Sequence, residues 1–147
     1  MTFVEIFEVS ELESCIMNAF KDDQKLIDEY HILGGNLEDC VRDTRVKIVE
    51  ESLKNTMDWY KILDDYGYLI GFVVVSKTYK LLYSFGLNIN SRENYKNKFF
   101  EEVKNMFDGN FTCGLWKKNI RGLRFLERMG MEVVMEDETI KILTLCH

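Results

Sequence analysis

The sequence predicts an α/β fold in one domain spanning residues 1–147, and three observations carry that expectation. Short β-branched and aromatic runs alternate with amphipathic helical patterns along the chain; capping residues and Gly-containing turns punctuate them; no linker, repeat or low-complexity tract divides them. With 147 residues, 46% of them hydrophobic, the chain can bury a core of single-domain size. Pro is absent and no Gly/Ser-rich run occurs, so the commonest linker signals are missing.

Phe3-Val4-Glu5-Ile6-Phe7-Glu8-Val9 has strand character, after which Ser10, with Glu13 following at capping-box spacing, offers a helix N-cap. Leu12, Ile16, Met17 and Phe20 then keep the helical period. Between Asp22 and Gly35 a polar stretch holds a short helical candidate near Leu26, Ile27 and Tyr30, and Gly34-Gly35 breaks it. From Asn36 to about Asn55, Leu37, Cys40, Val41, Thr44 and Ile48 recur as one apolar helix face. Trp59–Leu63 and Tyr68–Val75 flank the turn cluster Asp64-Asp65-Tyr66-Gly67 and read as a hairpin. Leu69–Val75 is apolar on both parities, which predicts a central strand covered on both faces.

Leu81–Leu87 predicts the next strand. Ser91 and Asn94 precede a helix with apolar positions Tyr95, Phe99, Val103, Met106 and Phe107, stopped by Asp108-Gly109. Phe111–Trp116 is a short strand, Asn119 caps a helix carrying Leu123, Phe125, Leu126 and Met129, and Gly130 takes the C-terminal position where a left-handed residue is favoured. Met131–Met135 and Thr139–Leu145 are closing strands joined at Glu136-Asp137-Glu138. The expected order is β, two or three helices, β-β-β, α, β, α, β-β.

The formal charge of −6, from 25 acidic against 19 basic residues, repels phosphate backbones and argues against a nucleic-acid partner. No apolar run approaches the roughly 20 residues that span a bilayer, and the start lacks a basic segment followed by an apolar one, so neither a membrane span nor a signal peptide is expected. Cys15, Cys40, Cys113 and Cys146 form no Cys-x-x-Cys pair, which points to reduced thiols in a cytoplasmic setting. Neither His31 nor His147 stands in a ligand pattern, and no metal site is expected. Lys117, Lys118, Arg121, Arg124 and Arg128 concentrate positive charge around the last helix, where it would meet an acidic partner, coenzyme phosphates or only solvent. Trp116 before that run could stack on a ligand, but packing against a neighbouring helix is the expectation.

The stretch Asn119-Ile120-Arg121-Gly122-Leu123-Arg124-Phe125-Leu126-Glu127-Arg128-Met129-Gly130-Met131 resembles the segment after the fifth strand in the GCN5-related N-acetyltransferase (GNAT) superfamily. Asn119 falls on that motif's Asn, Gly122 on its small residue and Gly130 on its closing Gly. The order of elements is similar to that family over essentially the whole chain. The resemblance implies a central mixed, mostly antiparallel sheet of about seven strands flanked by helices. It also implies that Arg92, Trp116 and Asn119 would contact acetyl-CoA if that cofactor binds.

Two departures bear on the chemistry. Aligning Arg92 with the start of the family's Arg/Gln-x-x-Gly-x-Gly/Ala loop, whose backbone amides hold the coenzyme pyrophosphate, puts Tyr95 and Asn97 where the glycines belong. A Cβ and a phenol ring there are expected to obstruct the pyrophosphate. The motif's Tyr, which in many members protonates the departing thiolate, corresponds to Leu126. Leu81–Ile89 supplies no Asp, Glu or His as a base, only Tyr83 and Ser84 before Asn88, so no catalytic residue is assigned. From Phe111 to His147 the chain most resembles the acetyltransferase-like internal or minor virion proteins of short-tailed bacteriophages. That resemblance implies no cofactor, a protein partner among other virion proteins, and a location in the cytoplasm or inside a virion assembled there. The alternative is an active acetyl-CoA-dependent N-acyltransferase acting on an unknown amine.

Overall fold

The computed structural model describes residues 1–146, so the expectation that His147 is no metal ligand lies outside the described residues. The chain runs β1 (Thr2–Glu5), α1 (Val9–Phe20), α2 (Gln24–Ile32), α3 (Leu37–Lys54), β2 (Asp58–Leu63), β3 (Leu69–Ser76), β4 (Leu81–Leu87), α4 (Ile89–Met106), β5 (Phe111–Trp116), α5 (Ile120–Arg128), β6 (Glu132–Glu136) and β7 (Ile140–Leu145). The strands form one 7-stranded sheet in the order β1-β2-β3-β4-β5-β7-β6. Neighbours are antiparallel except for β4 and β5, which run parallel and are joined by α4.

Helices cover both faces. On one, α4 and α5 bury Phe99, Phe100, Val103 and Leu126 against Val73, Val75, Leu82, Cys113 and Leu143. On the other, α1 and α3 bury Leu12, Ile16, Val41 and Ile48 against Phe72 and Val74. Successive β3 side chains therefore enter opposite cores, which explains why that strand is apolar on both parities. Each such side chain contributes roughly 1.5–3 kcal/mol by leaving water.

The long helix α3 starts at the residue the sequence marks. Asn36 Oδ1 accepts from Asp39 N and Asp39 Oδ2 accepts from Asn36 N, both at 2.9 Å, a reciprocal capping box. Two other helix starts differ from expectation. The helix α1 begins at Val9, not after Ser10; Glu8 holds the cap position without a side-chain bond, and β1 ends at Glu5, leaving Phe7 81% exposed. The chain leaves the sheet after Ile6 N–H reaches Trp59 O at 2.8 Å, and the Leu12 N–H to Glu8 O bond at 3.1 Å already closes a helical turn. Likewise α4 starts at Ile89, before Ser91, because Asn88 Oδ1 accepts from Asn90 N at 3.0 Å and takes the cap.

Two backbone features set the site. The β3–β4 register passes from Val74↔Ser84 to Val75↔Leu82, so Tyr83 is the extra residue of a β-bulge. The β4–β5 pairing holds only at Leu81↔Thr112 and Leu82↔Cys113. Beyond those pairs the two strands part, opening the sheet immediately after the bulge.

Candidate functional site

The β4 side of the opening carries Tyr83, Ser84, Phe85 and Gly86. Tyr83 is half-buried against the α1/α3 core. Burial first, then the Glu51 and Glu50 carboxylates, push its phenol above the ordinary value of 10.0, so it keeps its proton at neutral pH. Phe85 stacks on Phe99 of α4, with ring centroids 5.3 Å apart, and closes the other face.

At the end of β4 the chain passes from Leu87 to Ile89 through Asn88 alone. The glycine loop of the resemblance is therefore absent as a loop, and Arg92 lies in the first turn of α4. Asn88 is 7% exposed and its amide donates to Asn18 O at 2.8 Å and to Asp22 Oδ2 at 2.9 Å. Asn90 Nδ2 also donates to Asp22 Oδ2, at 3.4 Å. Arg92 Nη2 donates to Leu87 O at 3.2 Å and to Asp23 Oδ2 at 3.4 Å. Arg121, from α5, approaches the same carboxylate with Nη2 3.8 Å from Asp23 Oδ1.

Tyr95 and Asn97 do not act as the alignment implies. They follow the first turn of α4, and the Tyr95 hydroxyl accepts from Asp65 N at 3.3 Å, in the β2–β3 turn. Asn97 is exposed beside Met1, Lys98, Glu101 and Glu102. The expectation that a phenol ring at Tyr95 obstructs the site is corrected, because that phenol is held by the hairpin turn.

On the β5 side, Trp116 is 54% exposed, which corrects the expectation that it packs against a helix; α3 reaches it through Lys47, whose Nζ lies 5.4 Å from the ring centroid. Asn119 uses its side chain to cap α5, with Oδ1 accepting from Gly122 N at 3.0 Å. Leu126 is 2% exposed in the α4/α5 core and offers no proton. Of the basic run, Lys117 pairs with Glu136 at 3.1 Å, whereas Lys118, Arg124 and Arg128 are exposed. The structure thus joins Arg92 to α5 through Asp23 and leaves the Trp116 ring and the Asn119 amide outside that cluster.

The sequence motifs did not single out Asp22, Asp23, Asn88 or Lys47 for this site. An Asn directly after a strand is the signal that could have found Asn88; Asp22 lies 66 positions earlier, with Asp23 next to it, and neither carries one. A depression of about 450 Å³ lies elsewhere, where Ser10, Glu11, Cys15 and Lys61 line a groove beside the β2–β3 hairpin. Lys61 Nζ sits 3.1 Å from Glu11 there, so its charge is already paired. Among the described residues, no group of three or more His, Cys, Asp or Glu side chains is placed to hold a metal ion, and no helix is long and apolar enough to cross a membrane.

The residues at the start of α4 do not fit a coenzyme diphosphate. The amides of Asn90 and Ser91 are taken by Asn88, Arg92 is paired with Asp23, and the nearest charges from the α1–α2 corner are carboxylates.

No family model and no curated protein matches the chain. Solved structures do. PaiA N-acetyltransferase from Thermoplasma acidophilum, in complex with coenzyme A, superposes over 100% of both chains with TM-score 0.66 at 17% identity. Campylobacter jejuni N-acetyltransferase PseH, in complex with acetyl coenzyme A, gives TM-score 0.59 at 12% identity, covering 98% of this chain and 96% of that one. The match to nourseothricin acetyltransferase is partial, with 62% of this chain on 66% of that one, TM-score 0.52 and 15% identity. At such identities the likeness is one of fold: a mostly antiparallel sheet, opened between β4 and β5 and flanked by helices, gives this chain the GNAT fold.

Proposed function

We propose that this chain is a GNAT-fold protein without efficient acetyl transfer that works by binding a protein partner. The observation that carries this reading is the β4–α4 junction, where a single residue, Asn88, replaces a glycine-rich loop and carboxylates stand at the helix end. Leu126, at the position of the motif's proton donor, adds support because it is buried and untitratable. The partner-binding role draws on the exposed apolar side chains of Trp116, Val134 and Met135 and, separately, on the exposed basic residues Lys118, Arg124 and Arg128. The finer assignment is an assembly or minor virion component of a bacteriophage, held in the host cytoplasm or inside the particle, with other virion proteins as partners. It rests on the resemblance of Phe111 to His147.

The second reading is an acetyl-CoA-dependent N-acyltransferase with an unknown amine acceptor. Two observations favour it: neighbours in fold are solved with coenzyme A and with acetyl coenzyme A, and the β4–β5 opening is present. Under that reading Arg92, Trp116 and Asn119 contact the cofactor, and the work is mainly approximation of reactants. The deciding experiment incubates the full chain with acetyl-CoA and a panel of polyamines, amino acids and lysine peptides and follows free thiol release. The proposed function expects the uncatalysed rate; release proportional to protein concentration overturns it. Mass spectrometry of purified phage particles from the native source tests the virion assignment, and absence of the chain from them refutes it.

A further inference from the structure

The α1–α2 corner brings two carboxylates to the start of α4, and neither serves the sheet. Asp23 is only 7% exposed, and its neighbours are donors from three elements: Leu26 N of α2 at 3.3 Å, Arg92 Nη2 of α4 at 3.4 Å and Arg121 Nη2 of α5 at 3.8 Å. Asp22 Oδ2 beside it takes the amides of Asn88 and Asn90 at 2.9 and 3.4 Å. The Asp23 carboxylate, removed from water, is costly unless its charge is answered, and here two guanidinium groups and the N-terminus of α2 answer it. Guanidinium groups around the start of a long helix are how proteins commonly hold phosphate-type anions. In this chain the anion at that place is a pair of its own side chains.

We infer that the exposed Asp22 and the buried Asp23 together strap the α1–α2 corner to α4 and α5 and, as carboxylates of the chain itself, close that end of the β4–β5 opening to phosphate-bearing ligands. The inference deepens the proposed function by naming what keeps the site shut. The strap also explains why Asn88 is buried and why α4 starts without a loop: the cap residue is held from below by Asn18 O and from the side by Asp22. Arg92 and Arg121 would be free to meet an external anion only with the carboxylates neutralised or displaced.

The test uses the full chain and inorganic pyrophosphate as probe, titrated by calorimetry into wild type, Asp22→Asn, Asp23→Asn and the double variant. Asn keeps the shape of each side chain and leaves an acceptor for Leu26 N. Removing two like charges from an anion's neighbourhood is expected to tighten pyrophosphate binding by at least about tenfold in the double variant, and adding Arg92→Gln is expected to abolish the gain. A folded double variant that binds no tighter than wild type overturns the strap. Should the double variant not fold, Asp23→Asn, Arg92→Gln and their combination are compared by thermal melting. Coupled, non-additive shifts support the strap and additive ones overturn it. Acetyl turnover by wild type would overturn the proposed function but leave the pyrophosphate ratio to judge the strap; an unchanged ratio sinks the strap whatever the turnover.

Discussion

Replacing Gly122 by Ala should leave stability almost unchanged, although Gly is the poorer helix former, and the reason is its neighbour. Gly in a helix interior costs about 0.8–1 kcal/mol relative to Ala, an upper value for Gly122, the third residue of α5. A Cβ built on Gly122 would lie 2.8 Å from Asn119 Nδ2, 2.9 Å from Oδ1 and 3.0 Å from Cγ, so the Asn119 side chain must swing away. Swinging away breaks the 3.0 Å cap bond to Gly122 N, and losing an Asn cap costs about 1 kcal/mol. The two effects cancel. Asn119→Ala alone should therefore cost about 1 kcal/mol, a melting-point fall of about 3 °C for a domain this size. Gly122→Ala alone should come out near zero. The double variant should also come out near zero, because the cap is lost once and the propensity gained once, giving a coupling of about 1 kcal/mol where additivity predicts none. Urea denaturation of the four proteins measures it. A Gly122→Ala variant stabilised by its full propensity gain, with additive behaviour in the double variant, would refute the claim that the Asn-to-Gly spacing of this motif is a steric requirement of the cap.

The remaining expectations concern the sheet, the last turn and the thiols. In Gly71→Ala the new Cβ would sit 2.3 Å from the Gly86 carbonyl oxygen, backbone against backbone, so a loss of about 3 kcal/mol and a melting-point fall near 10 °C are expected; Gly114→Ala, whose nearest neighbour is Ile140 Cγ2 at 3.7 Å, is the tolerated control. Asp137 accepts from Thr139 N at 2.7 Å and Ile140 N at 2.8 Å, and these bonds, that to Thr139 first, hold its carboxyl below the ordinary 3.8. Being depressed on folding, it supports the β6–β7 turn above that ordinary value and loses the support as pH falls through its lower folded value, so the Thr139 and Ile140 amide NMR signals should titrate below pH 3.8 and not near neutrality. Burial pushes the Cys15 and Cys40 thiols up to about 11 and Cys113 up to about 12, whereas Cys146 is exposed. Iodoacetamide at neutral pH should therefore label Cys146 in the folded chain and the other three only on unfolding, as intact-mass spectrometry would show.

Most of the fold was legible because its determinants are local. The Asn36–Asp39 box, the two-sided apolar run of β3 and the positive φ of 101° at Gly130 can each be expected from a few adjacent residues. The start of α4 was not legible. Its cap is Asn88, made a cap by partners on α1 and the α1–α2 corner, and no window of neighbouring residues holds that information. The same limit governed Tyr95: an alignment can place a phenol at a motif position, but the Asp65 amide that holds it belongs to a hairpin turn 30 residues earlier. Trp116 failed for a different reason, since aromatic residues at strand ends usually find cover and this one stays 54% exposed, with only the Lys47 ammonium of α3 placed over its ring.

The architecture and the chemistry of such a site rest on different parts of the chain. The opening between β4 and β5 is a backbone property: it follows from the Tyr83 bulge and from a parallel pairing that stops at Leu82 and Cys113. Side chains can change around it without closing it. Proton transfer and anion binding depend on particular side chains and on free amides, and at both kinds of position this sequence has a residue that secures the fold. Leu126 fills the core where a phenol would need a polar partner, and Asp22 and Asp23 satisfy donors that an external anion would need left open. Both arrangements favour stability over a poised, partly unsatisfied site, the usual direction of the trade between the two. A test of the proposed partner-binding role is therefore best aimed at the exposed Trp116 ring.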